Sequence, residues 1–191
     1  MYEEPTPQMS AMVRMLQILV ASLILGCVVF LTVAMVMVAG RGPEEAVADE
    51  AATPVLSLVG LFVAVMTLGA RLVLRSTLIA RGVKAVAEGK DPPGVRAGAG
   101  SSPELPPEGI ERDAFRLARV YFNITLLSAV LVEGAVFVNL VFHLVEGQML
   151  SLAVAIVLIL GMGLHWPTAY GLMRWIEIRL RDVAAQRGLA R

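Results

Sequence analysis

Residues 120–173 read VYFNITLLSAVLVEGAVFVNLVFHLVEGQMLSLAVAIVLILGMGLHWPTAYGLM, and this stretch decides the fold. It holds two long apolar runs, 120–145 and 149–173, separated only by the short segment 146–148. Each run offers the roughly 20 apolar residues that a helix needs to cross the hydrocarbon core of a membrane. A connection this short makes the two helices antiparallel neighbours. The stretch therefore predicts a transmembrane hairpin with a tight extracytoplasmic turn.

A second hairpin is predicted upstream, from the apolar runs 15–39 and 55–74. The first run is too long for a signal peptide and its leader is acidic, so we expect a retained helix. No run alternates with the period of two that a barrel strand requires. The chain of 191 residues is 57% hydrophobic and 17% charged. We predict an all-α, polytopic membrane protein in which four transmembrane helices form an antiparallel bundle.

The distribution of basic residues predicts the orientation of these helices. Fifteen of the sixteen Lys and Arg residues fall on one side of the four runs, and only Arg41 falls on the other. The positive-inside rule then places both termini in the cytoplasm, as expected for a bacterial inner-membrane protein. The predicted segments outside the helices are a cytoplasmic tail 1–14, an acidic extracytoplasmic loop 40–54, a basic cytoplasmic loop 75–119 with a flexible spacer 91–109, and a basic cytoplasmic tail 174–191.

The partner that this composition indicates is the lipid bilayer. The formal net charge is zero, which gives no indication of a nucleic-acid partner. The basic residues of the middle loop either bind lipid headgroups or serve only to set the orientation. A homo-oligomer or another membrane protein is a further possible partner.

Glu133 lies inside the apolar stretch AVLVEGAVFVNLVF, residues 129–142. Because an unpaired ionised carboxylate is costly in a membrane, we expect it to face the bundle interior and to be largely protonated at neutral pH. The antiparallel register places it level with Gly161–Gly163, so its expected hydrogen-bond partner is His165 or the fourth helix near Gly161. Thr67 and Cys27 are weaker candidates. Alternatively, His165 belongs with nearby aromatic residues to an interfacial belt.

Two further groups of residues are predicted from helical spacing. Asn139, His143 and Glu146 share one face of the third helix. They line a polar vestibule, form the polar end of a helix, or contribute to an oligomer contact. Small residues allow close approach of transmembrane helices. We expect this packing role for Gly26, Gly60, Gly69, Gly134, Gly161 and Gly163.

The residues do not indicate an enzyme, a metal site or a cofactor. His143 and His165 differ in depth by roughly 20 Å at 1.5 Å per residue, which is too far for both to ligate one haem. No His, Asp or Glu group has the spacing of a metal site. Cys27 is the single cysteine, so an internal disulfide is excluded.

The stretch 129–142 resembles the carboxylate-bearing helix of rotary ATPase ring subunits, the c-type proteolipids. The resemblance implies that Glu133 is an ion-binding acid. The chain differs from those subunits because 58–70 lacks a repeated Gly-x-Gly pattern and two further helices flank the pair. As a whole it resembles small four-helix bacterial membrane proteins of unassigned function. We therefore expect a structural or interaction subunit of a membrane assembly, with an ion- or proton-coupled transport role for Glu133 as the alternative.

Overall fold

The computed structural model describes residues 7–41, 55–92 and 109–189, and these residues form five α-helices and no strand. The helices are α1 (Pro7–Ala39), α2 (Val55–Ala87), α3 (Ile110–Glu146), α4 (Met149–Leu164) and α5 (Ala169–Leu189). The predicted all-helical class is confirmed. Helices α1, α2 and α3 are each long and apolar enough to cross a membrane, and α4 with α5 make a fourth span if that bent pair is counted as one.

The helices extend beyond the apolar runs. Helix α1 begins at Pro7, α2 continues to Ala87, and α3 begins at Ile110, so parts of the predicted tail 1–14 and loop 75–119 are helical. Ala and Arg, which both favour the helix, occur in each of these extensions. Most of the acidic loop 40–54 and of the flexible spacer 91–109 lies outside the described residues.

Glycines with positive φ end two of these helices. After α2, Gly89 has φ 74°, and the amides of Gly89 and Lys90 donate to the carbonyls of Val86 and Ala85. This pair of hydrogen bonds is a Schellman motif, which glycine favours because it lacks a Cβ. After α3, Gly147 has φ 68° and its amide donates to the His143 carbonyl. The chain can therefore begin α4 at Met149.

The fourth apolar run is broken, which corrects the prediction of one helix over 149–173. Helix α4 ends at Leu164, α5 begins at Ala169, and the pair is bent by 74°. Pro167 has no amide proton and disfavours helical backbone in the residue before it. Thr168 then caps α5, because its hydroxyl oxygen accepts a 3.0 Å hydrogen bond from the Gly171 amide. Most of the predicted tail 174–191 belongs to α5.

One compact unit, which we name the apolar unit, consists of the described residues 18–41, 55–72 and 127–166. Its core includes Cys27, Ala64, Val136, Ala155 and Leu158. Its described part holds two Lys or Arg residues and two acids. Helix α3 supplies four of the buried residues in this core, Val132, Ala135, Val136 and Leu140.

The second compact unit, the arginine-rich unit, consists of the described residues 7–17, 73–92, 109–126 and 167–189. Twelve Lys or Arg residues belong to this described part. Its core includes Met9, Val83, Leu117 and Ile176, which come from α1, α2, α3 and α5. Helices α2 and α3 approach closely here, because a Cβ added to Gly82 would lie 2.8 Å from a Val120 methyl carbon.

Candidate functional site

Polar side chains gather in the apolar unit where α3 ends and α2 begins. We name this group the end cluster; its members are Ser57, Asn139, His143, Glu146 and Ser151. The Glu146 carboxylate accepts hydrogen bonds from the amides of Leu56 and Ser57, at 2.6 and 2.8 Å, and from the Ser57 hydroxyl at 2.7 Å. The first amides of a helix have no partner within the helix, and the helix dipole favours a negative charge beside them. Glu146 therefore caps α2 from another helix.

The other end-cluster contacts join this cap to α4. The Ser151 hydroxyl donates to the Ser57 hydroxyl over 2.8 Å. His143 Nδ1 lies 2.9 Å from the Gln148 carbonyl oxygen, so the ring nitrogen that faces the turn is the protonated donor. Arg41 donates to the Leu144 carbonyl near the C-terminus of α3, where a cation is favourable.

Asn139 and Gly60 bring α2 and α3 into close contact. The Asn139 amide nitrogen donates to the carbonyls of Gly60 and Ala135, at 3.2 and 2.8 Å. Its Oδ1 is buried without a hydrogen-bond partner. A Cβ added to Gly60 would lie only 2.5 Å from that oxygen, so a larger residue there must displace the Asn139 side chain.

The end cluster does not line an open vestibule, which corrects one interpretation of the sequence. Asn139 is 0% exposed and His143 is 2% exposed. Helical spacing places Asn139, His143 and Glu146 on one face, but it does not show what covers that face. The start of α2 and Ser151 of α4 cover it. The cluster thus ties three helices together.

Glu133 occupies the middle of the same helix and is half-buried. Its Oε1 lies 3.9 Å from the position that a Cβ on Gly26 of α1 would take. One turn further along both helices, the rings of Phe30 and Phe137 meet edge to face with centroids 5.2 Å apart. Among the described residues, none donates a hydrogen bond to Glu133 or forms an ion pair with it. The carboxylate therefore lies against α1 with no described donor.

The predicted hydrogen bond from Glu133 to His165 or to the Gly161 region is wrong. His165 is exposed, and its Nδ1 lies 2.8 Å from the Gly161 carbonyl oxygen of the preceding helix turn. The reason is the end of α4: the His165 amide bonds to Met162, which leaves the Gly161 carbonyl for the imidazole. Thr67 is half-buried, and no hydrogen bond in the described structure joins it to Glu133. The exposure of His165 and Trp166 favours the interfacial interpretation.

The predicted packing glycines divide into two groups. Gly60 and Gly26 do lie against neighbouring helices. For the others, a Cβ would meet no heavy atom of a neighbour within 4 Å, so the packing prediction is wrong for Gly69, Gly134, Gly161 and Gly163. At these four positions the helix surface has space for a side chain and makes no close contact with another helix of the chain.

Sequence reasoning missed several residues that the structure uses. Ser57 and Ser151 complete the end cluster, and neither was predicted as a site residue. In the arginine-rich unit, Arg187 donates to Asp113 at 2.7 Å and to the Val86 carbonyl at 2.9 Å. Arg187 thereby places a cation at the C-terminus of α2. These pairs are too distant in sequence for helical periodicity to show them.

Other potential sites in the described parts of the chain are modest. A small pocket in the arginine-rich unit is lined by Leu78, Gly82, Pro92, Val120, Asn123 and Ile124. Its lining holds one polar side chain and no charge. Across 7–41, 55–92 and 109–189, no group of three His, Cys, Asp or Glu side chains is placed to hold a metal ion. No family model, no curated protein and no solved structure matches this chain.

Proposed function

We propose that the chain is an integral protein of the bacterial cytoplasmic membrane with four helical spans and both termini in the cytoplasm, and that it works as a structural or interaction subunit. The observation that carries the membrane assignment is the apolar surface of its long helices. Leu25, Phe62, Val130 and Val157 are among many large apolar side chains that are exposed. Exposing so many apolar side chains to water has an unfavourable free energy, whereas exposing them to lipid does not. The concentration of bases in the arginine-rich unit agrees with the positive-inside rule.

Cysteine labelling tests the proposed orientation. Single cysteines replace Ala48 or Ala99 in a chain in which Cys27 is alanine, and intact cells are treated with a membrane-impermeant maleimide. We expect Ala48→Cys to react in intact cells and Ala99→Cys to react only after lysis. The opposite pattern would contradict the proposed topology.

The subunit role is supported by how the end cluster uses its polar groups. Ser57, His143, Glu146 and Ser151 bond to backbone groups or to one another across helices. Side chains engaged in this way hold neighbouring helices together, which is what a structural subunit requires. The broad exposed faces of α1 and α2 leave surface for neighbouring helices or lipid.

Native electrophoresis tests the subunit role. The tagged chain is expressed at low level, extracted in a mild detergent and compared with a denatured sample of the same 20.4 kDa chain. We expect a discrete species larger than the monomer in its detergent micelle. A chain that migrates only as a monomer in several mild detergents would contradict the proposal.

The second candidate function is ion or proton coupling at Glu133, which is favoured by the half-buried carboxylate without a described partner. The test is flux of protons or sodium ions into vesicles that contain the purified chain. Glu133→Gln should abolish the flux, and Glu177→Gln, at an exposed acid of α5, should preserve it. Absence of flux with the unaltered chain would contradict this candidate.

A further inference from the structure

The outward face of α3 carries an apolar stripe. Its members are Leu127, Val130, Gly134, Val141 and Val145, and all five are exposed. Their spacing of three, four, seven and four residues keeps them on one side of a helix. At the centre, a Cβ on Gly134 would meet no heavy atom of a neighbour within 4 Å. The stripe is therefore an unpartnered face with a gap at its middle.

Glu133 borders this stripe. It precedes Gly134 and is half-buried, with its Oε1 near Gly26 of α1. No described side chain donates to it or pairs with it. A carboxylate in hydrocarbon without a donor or a cation is costly, and acids within transmembrane segments usually pair with another group. Because no described side chain pairs with Glu133, its charge is removed either by protonation or by a group from outside the described chain.

We propose that the stripe and Glu133 form a docking site for a transmembrane helix of a different protein, and that this helix carries Lys or Arg at the level of Glu133. The inference rests on the proposed role as a membrane interaction subunit and names the chemistry of its partner. Charge complementarity indicates which helix binds here. A Lys or Arg of the incoming helix would neutralise Glu133, and the same contact would remove that basic side chain from lipid, where its exposure is unfavourable. Gly134 allows the backbone of the incoming helix to approach closely.

A second copy of this chain fits the site less well. The apolar unit holds two bases in its described part, Arg41 and Arg71. Arg41 bonds to the Leu144 carbonyl, eleven residues along α3 from Glu133, or roughly 16 Å at the helical rise. Arg71 already has a partner. The charge complement of Glu133 therefore points to another protein.

Energy transfer in vesicles tests the proposal. The chain carries a donor dye at its C-terminus, and the acceptor is on a poly-leucine transmembrane peptide with one central Lys, Gln or Leu. We expect the Lys peptide to bind at least about fivefold more tightly than the Leu peptide, the scale of one strong polar contact between membrane helices. Glu133→Gln should remove this preference. Glu177→Gln, the same change at an exposed acid, should keep it.

Two glycine variants test the surface itself. Gly134 and Gly69 are both exposed and have room for a Cβ, so leucine at either position should be tolerated by the fold. Gly134→Leu fills the middle of the stripe and should weaken binding of the Lys peptide at least about fivefold. Gly69→Leu, on α2, should leave binding unchanged.

Each contrary result has a distinct meaning. Three results would overturn the docking site. They are equal binding of the Lys and Leu peptides, equal binding of the Lys and Gln peptides, and unchanged binding of the Lys peptide by Gly134→Leu. Energy transfer between two labelled copies that Glu133→Gln abolishes would also overturn it, because the occupant would then be a second copy. A chain that fails to float with vesicles contradicts the membrane role itself, whereas a chain that floats but ignores the Lys peptide contradicts only the docking site.

Discussion

Glu146 and Glu133 lie on the same helix of the same unit, thirteen residues apart, and their surroundings differ completely. Glu146 accepts three hydrogen bonds from the start of α2, and Ser151 extends that group to α4. Glu133 Oε1 lies 3.9 Å from the position that a Cβ on Gly26 of α1 would take, and no described residue donates a hydrogen bond to it.

The two acids differ in hydrogen bonding because each contacts a different part of a neighbouring helix. Glu146 meets the beginning of a helix, where backbone amides lack internal partners and attract a carboxylate. Glu133 meets the middle of α1, where every amide is already bonded within the helix and Gly26 has no side chain to donate. Glu146 is therefore bonded to the fold by three hydrogen bonds, whereas Glu133 has no hydrogen-bond partner among the described residues.

The largest expected effect is at Glu146. Glu146→Ala removes three hydrogen bonds to a charged acceptor and should lower the free energy of unfolding by about 3 kcal/mol. Glu146→Gln keeps one acceptor oxygen and should cost less. Denaturant titration in detergent micelles measures both. An unchanged free energy of unfolding in Glu146→Ala would show that the fold does not need this cap.

The next effect is at Gly60, where the end cluster packs most closely. Gly60→Ala places a Cβ 2.5 Å from Asn139 Oδ1 and 3.0 Å from a Phe142 ring carbon. We expect a loss of about 2 kcal/mol, the usual scale of overpacking. Gly69→Ala has free space on the same helix, so the better helix propensity of alanine should stabilise it by up to about 1 kcal/mol. Similar behaviour of the two variants would contradict the close contact.

In the arginine-rich unit, Arg187 caps the C-terminus of α2 with a positive charge. Arg187→Met removes the bonds to Asp113 and to the Val86 carbonyl. Because the side chain is 45% exposed, we expect a loss of only about 1 kcal/mol. Arg181→Met breaks an exposed pair with Glu177 and should cost less than about 0.5 kcal/mol. The same thermal or denaturant titration compares them, and equal losses would argue against a capping role.

The smallest effect is expected at Glu133. Glu133→Gln should change the free energy of unfolding by less than about 0.5 kcal/mol, as for a side chain without a partner in the fold. A loss above about 1 kcal/mol would show that the acid has a structural role like that of Glu146 and would remove the contrast. The informative readouts for this variant are peptide binding and ion flux.

Much of the fold and part of the site could be predicted from local patterns. Long apolar runs predict helices because the backbone hydrogen bonds of a helix join residues only four apart, so that helix formation depends on nearby sequence. The same periodicity places Asn139, His143 and Glu146 on one face. The prediction failed for His165, because a depth count assumes an unbroken helix and α4 ends at Leu164.

The helices, the segregation of the bases and the acid within an apolar stretch can all be read from the sequence. The packing of the helices adds three contacts: Ser57 and Ser151 complete the cap of α2, Gly60 contacts Asn139, and Glu133 faces Gly26. The physical reason is range. Helix formation is encoded in neighbours three and four residues apart, whereas these contacts join residues 79 to 107 apart in sequence and exist only after the helices have packed.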